Sequence, residues 1–566
     1  MQSTTAHLKF PPFFFWSLAG LGWWGAAKLH ALAGTTASHT ASLATVGTIA
    51  AAWLGGRFVL RALNDSDIRR DRRRFAKQRA AASQTHGRAR LASYRDLRKF
   101  GLTGSRGVFL GRYRRGLGRC RDVYYGGETH VLTIGPAGSG KTTSVVIPNI
   151  LLNRDPGLVV IDIKGELAAV TCRFHREVLK RNVVFLNPFR ESLNAELGLS
   201  LPDDGYNPCV LLRRGASAKD DCELLASLLL PMPPKADAKS EFFVDAGQQI
   251  ISAALLDLLR QPHQPTLPAL RRWLMAMPKA FESQLAEMAS STAFGGALAE
   301  AGGRLLGTLA NAPEQFEGAH ASAIKAVRIY DSYGPMAQHV SVQNGFTFER
   351  IKERPTTVYI ILPSDRGTTH AAWMNLVLSS AFELVGRDRT NRRVTFLVDE
   401  LANLGALPLI RAMALYRSQG VRIHGIIQQV SQIRRIYGEE GWRDIAGLCG
   451  VIQAFNVTEH ETTKLLSEMS GHATVEDINQ SVRPGMAGAI SHADLSFGHS
   501  RTGQPLLRPD DIRMLHADDQ IIIAHNAPPI RAQKVDYRSR RRWSGWCDPN
   551  PYYSRGKPVE SSSAQE

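Results

Sequence analysis

The chain has 566 residues, too many for one ordinary compact core, so two or three domains are expected. Hydrophobic residues make up 44% and charged residues 21%, which excludes a disordered chain. The formal net charge of +18 points to a polyanionic partner, either nucleic acid or an anionic membrane leaflet.

That charge is concentrated. From Arg57 to Arg119 there are 19 Lys and Arg against 4 Asp and Glu, and the rest of the chain is much closer to neutral. Before this stretch, Phe10 to Ala27 carries no charge. At ~1.5 Å per residue it would span about 27 Å as a helix, close to a bilayer core. Trp16, Trp23 and Trp24 supply aromatic anchors. A second apolar run, Ala41 to Leu60, is interrupted only by Arg57, whose long side chain can snorkel. Gly47, Ala51 and Gly55 put small residues on one face of it, where another span can pack closely. Residues 1–62 are therefore predicted to form a two-helix transmembrane hairpin. A cleaved signal peptide is the alternative for the first run, and the second run argues against it. Arg69, Arg70, Arg72, Arg73, Arg74, Lys77 and Arg79 follow, and the positive-inside rule keeps them cytoplasmic. This places both termini and the soluble bulk on the cytoplasmic side of the membrane. Residues 63–122 read as a basic linker leading into the core, expected to meet anionic lipid. Direct DNA contact is the less favoured alternative.

Thr129 to Ile134 reads as a strand, and it runs into Gly135-Pro136-Ala137-Gly138-Ser139-Gly140-Lys141-Thr142, then Thr143 and a helix-like stretch. This is G-x-x-x-x-G-K-[ST] in its strand–loop–helix setting. The glycines let backbone N–H groups wrap toward phosphate oxygens, and the helix N-terminus adds partial positive charge. Lys141 can reach the β- and γ-phosphates, and the Thr142 hydroxyl can ligate Mg²⁺. Further on, Val394-Thr395-Phe396-Leu397-Val398 leads to Asp399-Glu400. Asp399 is expected to hold the Mg²⁺ shell and Glu400 to polarise the attacking water, work that binding alone does not require. ATP and Mg²⁺ are the implied cofactors.

Other apolar runs have the length and flanks of buried parallel strands: Leu158 to Ile163, Val183 to Leu186, Thr357 to Leu362, Val421 to Ile427, Val451 to Phe455 and Gln520 to Ala524. Helical stretches alternate with them. The predicted fold is α/β, a RecA-like P-loop NTPase core over residues 123–259 and 333–540. An all-helical insertion domain is predicted at 260–332. Residues 471–504, rich in Ser, Gly, His and Asn, read as a long mobile loop. Residues 541–566 read as a flexible basic-aromatic tail. The cysteines (Cys120, Cys172, Cys209, Cys222, Cys449 and Cys547) form no C-x-x-C pair and read as reduced packing residues.

With these motifs in place, the chain resembles the TraG/TraD-type coupling proteins of type IV secretion and conjugation. The resemblance runs along nearly the whole chain. It is carried by the two spans, Gly107-Val-Phe-Leu-Gly-Arg112, the P-loop, Asp162-Ile-Lys164-Gly-Glu166, Asn187-Pro188 and Tyr206-Asn207-Pro208. Asp399-Glu400-Leu-Ala-Asn403-Leu-Gly405 looks like the family's D-E-F-x-N-L-G, with Leu401 in place of Phe. Arg417-Ser-Gln-Gly420, Gln428-Gln-Val-Ser-Gln432, Ser470-Gly471-x-x-Thr474 and Pro505-Leu-Leu complete the set. The resemblance implies a homo-hexameric ATPase with a central channel. Its partners would be relaxase-bound single-stranded DNA or effector proteins, and the inner-membrane components of a type IV secretion system. By motif position, Arg417 would be an arginine finger in the neighbouring subunit's site and Gln428 a γ-phosphate sensor. Asp162, Lys164 and Glu166 are implied to lie near the site, without assigned roles. Two alternatives are carried: an FtsK-like DNA translocase, and a substrate receptor that uses nucleotide only as a switch.

Overall fold

The computed structural model describes residues 87–115, 119–233, 237–405, 407–482 and 495–553. The hairpin expected at 1–62 and the start of the basic linker lie outside them.

Thirteen strands organise the described residues. They are β1 (Val108–Arg114), β2 (Cys120–Tyr125), β3 (His130–Ile134), β4 (Gly157–Asp162), β5 (Asn182–Leu186), β6 (Thr356–Ile361), β7 (Val394–Val398), β8 (Val421–Ile427), β9 (Cys449–Ala454), β10 (His472–Val482), β11 (Leu495–Pro505), β12 (Asp519–Ala524) and β13 (Ile530–Gln533). All but β10 and β11 form a sheet of 11 strands in the order β2-β1-β13-β12-β9-β3-β8-β7-β4-β6-β5. From β9 to β5 neighbouring strands run parallel. Every residue of β4, β6, β7, β8 and β9 is buried. A parallel sheet covered on both faces demands such unbroken apolar runs. Along β4, Leu158 and Val160 join the core on one face and Val159 and Ile161 the core on the other.

The strand read at Gln520 to Ala524 is real, but its direction is corrected. β12 runs antiparallel to β9, with Ile521 opposite Ala454, and antiparallel to β13. A parallel return needs a crossover of a dozen or more residues, and only a short turn links β12 to β13.

Helices cover the sheet. Those used below are α1 (Thr142–Leu152), α2 (Glu166–Arg173), α3 (Ala218–Leu229), α4 (Ala238–Leu259), α5 (Leu267–Leu274), α6 (Pro278–Ala289), α7 (Ala297–Asn311), α8 (Pro313–Val327), α9 (Gly367–Arg387) and α10 (Leu409–Leu415). Between β5 and β6 the described residues form helices and connecting turns only. α4 packs against α3, α5 and α8. Gly318 of α8 lets it approach α4, since a Cβ there would lie 2.4 Å from the Phe243 ring. α4 thus joins the helix before it to the helices that follow it. Among the described residues α4 alone is long and apolar enough to cross a membrane, with 22 residues. A helix that apolar shows no single buried stripe from which its neighbours could be read.

Two further expectations are corrected. Residues 471–504, read as a mobile loop, contain the antiparallel ribbon β10–β11, with His472 opposite Pro505 and Val482 opposite Leu495. The ribbon forms a separate sheet of two strands, so no shared core imposes an alternating pattern on its sequence. The segment read as a flexible tail packs on the core as far as Tyr553, and residues 554–566 lie outside the described residues. Trp543 is buried edge-on against Phe109, with ring centroids 5.2 Å apart, and Trp546 stacks on Phe174 at 4.5 Å. Arg540 and Arg542 lie over these two indoles at 4.1 and 5.0 Å. Arg173 pairs with Asp548 at 2.6 Å. The basic-aromatic composition thus reflects arginines stacked on a buried and a half-buried tryptophan rather than a solvated end. Trp543→Ala is expected to cost about 3–5 kcal/mol, read as a lowered urea midpoint.

Candidate nucleotide site

β3 delivers the chain to Gly135, whose N–H donates to the Ile427 carbonyl at the end of β8 (3.0 Å). A Cβ at Gly135 would lie 2.8 Å from the Phe455 ring, so no side chain fits there. Gly138 and Gly140 take φ of 72° and 83°, the left-handed region that lets the loop curl. The Ser139 hydroxyl and the Lys141 ammonium both donate to the Pro136 carbonyl, at 2.6 and 3.0 Å. Lys141 is nearly buried, and that burial pulls its pKa down against the opposing fields of Asp399 and Glu400. α1 follows directly, opening with a wide turn over Thr142–Val146. Its N-terminal N–H groups thus face the loop that Lys141 crosses.

Strand order explains the rest of the arrangement. β8 lies between β3 and β7. Gln428, the first residue after β8, therefore stands between the P-loop and Asp399, the first residue after β7. Asp399 is half-buried, but its Oδ1 is buried and has no protein hydrogen-bond partner. Desolvation, with Glu400 adding and Lys141 opposing, pushes its carboxyl up to about 6. A buried carboxylate oxygen left open beside a phosphate loop fits a hydrated Mg²⁺, with the Thr142 hydroxyl as the second protein ligand. Mg²⁺ keeps most of its shell as water and phosphate oxygens, so two protein ligands suffice. Glu400 adopts φ 55° and ψ 50°, a left-handed conformation that costs a residue with a side chain ~1–3 kcal/mol.

The Asp162 to Glu166 segment lies beside this centre, because β4 is the neighbour of β7. Asp162 accepts from Ala168 N–H (2.8 Å) and Lys164 N–H (3.3 Å), so it fastens the start of α2. Complete burial pushes its carboxyl up to about 7. Glu166 accepts from the Asn550 amide at 2.6 Å, and the Tyr552 hydroxyl donates to the Lys164 carbonyl at 2.9 Å.

Two supports of the loop escaped the sequence reading. Asn149 of α1 accepts from Phe109 N–H (2.7 Å) and donates back to the Phe109 carbonyl (2.9 Å), clamping α1 to β1. Lys534, just after β13, donates to the Ser139 carbonyl in the P-loop (2.7 Å) and lies 4.7 Å from the Phe455 ring centroid. Neither has a local signal, since each acts on a segment remote in sequence.

Arg417 is not brought to this site. It is exposed, in the turn between α10 and β8, at the opposite end of β8 from Gln428. Its charge acts instead on His130, the first residue of β3, whose imidazole is pushed down to about 4, chiefly by burial. His130 and Gly135 are separated by roughly 16 Å of strand. Lys352, buried, fixes the turn by donating to the carbonyls of Gln419 (2.7 Å), Asp388 (2.7 Å) and Thr390 (3.0 Å).

A phosphate-binding loop at the end of one buried parallel strand and an Asp-Glu pair at the end of another, with one strand between them, define a P-loop ATPase fold. The chain belongs to the type IV secretory system conjugative DNA transfer family, whose model matches residues 79–561. It is 25% identical over 452 residues to the conjugal transfer protein TraG of Agrobacterium fabrum, an alignment covering 78% of this chain and 65% of that one. It is 24% identical over 478 residues to the protein VirD4 of Rhizobium rhizogenes, covering 81% and 66%. The chain thus spans about two thirds of the length of these relatives. Among solved structures, the unbound bacterial conjugative coupling protein TrwBdeltaN70 superposes with a TM-score of 0.59 at 17% identity, covering 80% of this chain and 94% of that one. TrwB in complex with the non-hydrolysable ATP analogue ADPNP gives 0.56 at 18% identity, covering 79% and 93%.

Proposed function

We propose that the chain is a membrane-anchored ATPase that recruits DNA–relaxase complexes or protein substrates to a type IV secretion channel and drives their transfer by ATP hydrolysis. The observation that carries this reading is the placement of Lys141 within the electrostatic reach of Asp399 and Glu400, one strand apart in the sheet, which suits a lysine for phosphate, a carboxylate for metal and a carboxylate for water. The TrwB complexes with ADPNP and with ADP and Mg²⁺ support ATP and Mg²⁺ as ligands. The N-terminal apolar runs support an inner-membrane anchor. Arg417, far from its own P-loop, supports a ring in which each subunit completes its neighbour's site, with a homo-hexamer as the expected assembly. Gln428, between the loop and Asp399, is suited to sense the γ-phosphate. The RecA-like core and its helical insertion would be the motor and the substrate-facing part. A chromosome translocase is disfavoured by the family match, and a pure nucleotide switch by Glu400.

The test is steady-state ATP hydrolysis by the full chain in detergent, with and without single-stranded DNA, beside Lys141→Ala. Hydrolysis that DNA stimulates and Lys141→Ala abolishes is the expected result. Assembled wild-type protein that hydrolyses no ATP would return the chain to the receptor reading.

A further inference from the structure

The C-terminal edge of the sheet holds a second concavity, about 710 Å³, beyond the ends of β5 and β6. On one side are Phe189 and Arg190, which follow β5. On another is Arg366, just before α9, with His370 one turn into that helix. Tyr333 and Met336, from the end of the helical block, complete the wall. Tyr333 is 93% exposed, the highest value among the large apolar and aromatic side chains left in solvent. Beneath it the floor is firm. Phe189 is buried, with the Arg366 guanidinium 5.5 Å from its ring centroid and the His370 ring edge-on at 4.8 Å.

The charges sort by depth. Asp203 and Asp204 also line the cavity, but their carboxylates are engaged inward. Asp203 accepts from His339 (2.9 Å) and from the Asn187 N–H (2.9 Å), and Asp204 from the Phe185 N–H (2.7 Å). Arg366 leans on Asp365 at 3.2 Å and keeps about half its side chain in solvent. Arg190 is exposed and has no carboxylate partner among the described residues; the outward-facing acids are Glu191 beside it and Asp365 on Arg366. The mouth therefore presents one guanidinium free of a carboxylate, a second paired with an exposed acid, and a free aromatic face.

We propose that this cavity is a binding site for single-stranded polynucleotide, in which a base stacks on Tyr333 and neighbouring phosphates meet Arg190 and Arg366. A free ring accepts any base, and a guanidinium pair takes phosphate without reading sequence, as a transporter of arbitrary DNA requires. The guanidinium groups at the mouth favour a polyanion over a peptide as the occupant. The proposal rests on the reading of the chain as a DNA-transfer ATPase and adds where the strand is held.

The site also touches the catalytic centre. The short helix Arg190–Leu197 begins at the cavity, and its Leu193 packs on Gly165, where a Cβ would lie 2.8 Å from Leu193 Cδ2. Gly165 lies between Asp162, which starts α2, and Glu166. The Leu362 N–H, after β6, donates to the Asp162 carbonyl at 3.3 Å. A strand that shifts Arg190 or Arg366 thus pushes on both flanks of the segment beside Asp399.

The test is fluorescence anisotropy of a labelled oligothymidine with the full chain in detergent, at several salt concentrations, together with DNA-stimulated hydrolysis. Tyr333→Ala is expected to weaken binding about tenfold and to remove the stimulation, while Tyr333→Trp binds as wild type. Arg190→Ala and Arg366→Ala are each expected to lower the salt slope by about one unit. Because Tyr333 projects into solvent, its truncation leaves the core packed. Wild-type binding matched by Tyr333→Ala at every salt concentration would overturn the cavity assignment alone. Loss of a protein substrate by Tyr333→Ala, with oligothymidine binding kept, would overturn it in favour of protein cargo. Failure of the wild type to bind any oligothymidine would bring down the underlying DNA-transfer reading as well.

Discussion

Glu400→Gln is expected to lower ATP turnover by about 10²- to 10⁴-fold while leaving nucleotide binding intact. The amide keeps the shape of the carboxylate but cannot draw a proton from water. Asp399, one residue earlier, retains its carboxylate for the metal, and Lys141 retains its approach to phosphate. Binding and hydrolysis should therefore separate: a fluorescent ATP analogue titrates the variant as tightly as the wild type, while phosphate release nearly stops. The variant should also be as stable as the parent, because glutamine and glutamate bear the left-handed backbone at this position equally badly. Glu400→Gly, in contrast, should relax that backbone and raise stability by about 1 kcal/mol while losing activity just as completely. Loss of nucleotide affinity in Glu400→Gln would show that the carboxylate binds rather than activates.

Arg417→Ala is expected to reduce hydrolysis by about 10³-fold or more, the scale of a removed arginine finger, without changing ATP affinity. The geometry adds a stricter requirement. Arg417 lies at the far end of β8 from its own phosphate loop, so the guanidinium acts across a subunit boundary or not at all. Mixing Arg417→Ala with Lys141→Ala subunits should then restore activity, since the first keeps a working site and the second a working finger. Random assembly in a ring would make about a quarter of the sites complete. Two inactive variants that stay inactive when mixed, although they co-assemble, would remove Arg417 from catalysis.

Much of this site was legible because its chemistry is local. The P-loop residues share one turn, and Asp399-Glu400 close one apolar run, so each can be read without knowing the fold. The unbroken runs that became β4, β6, β7, β8 and β9 announced a parallel sheet covered on both faces. What could not be read depends on partners far along the chain. The antiparallel pairing of β12 with β13 is set by the short turn between them, not by their own residues. Lys534 meets Ser139 only because β13 joins the edge of the same sheet. The tryptophans of the last described segment looked solvated because their arginine neighbours did, while Phe109 and Phe174, which bury them, occur hundreds of residues earlier. The ribbon β10–β11 forms a sheet of its own, with an isolated bridge between Ala473 and Arg88, and so imposes no pattern on its sequence.

Because β3 is flanked by β8 and β9, the phosphate loop is synthesised long before the strands that hold it. At roughly 5–20 residues per second, tens of seconds separate the emergence of Lys141 from that of Asp399 and Gln428. Throughout that time the nascent chain carries a glycine-rich loop with no sheet to shape it and no acid to hold a metal. Nucleotide binding is thus postponed until translation of the core is nearly complete. A ribosome-bound chain stalled before β8 should ignore ATP.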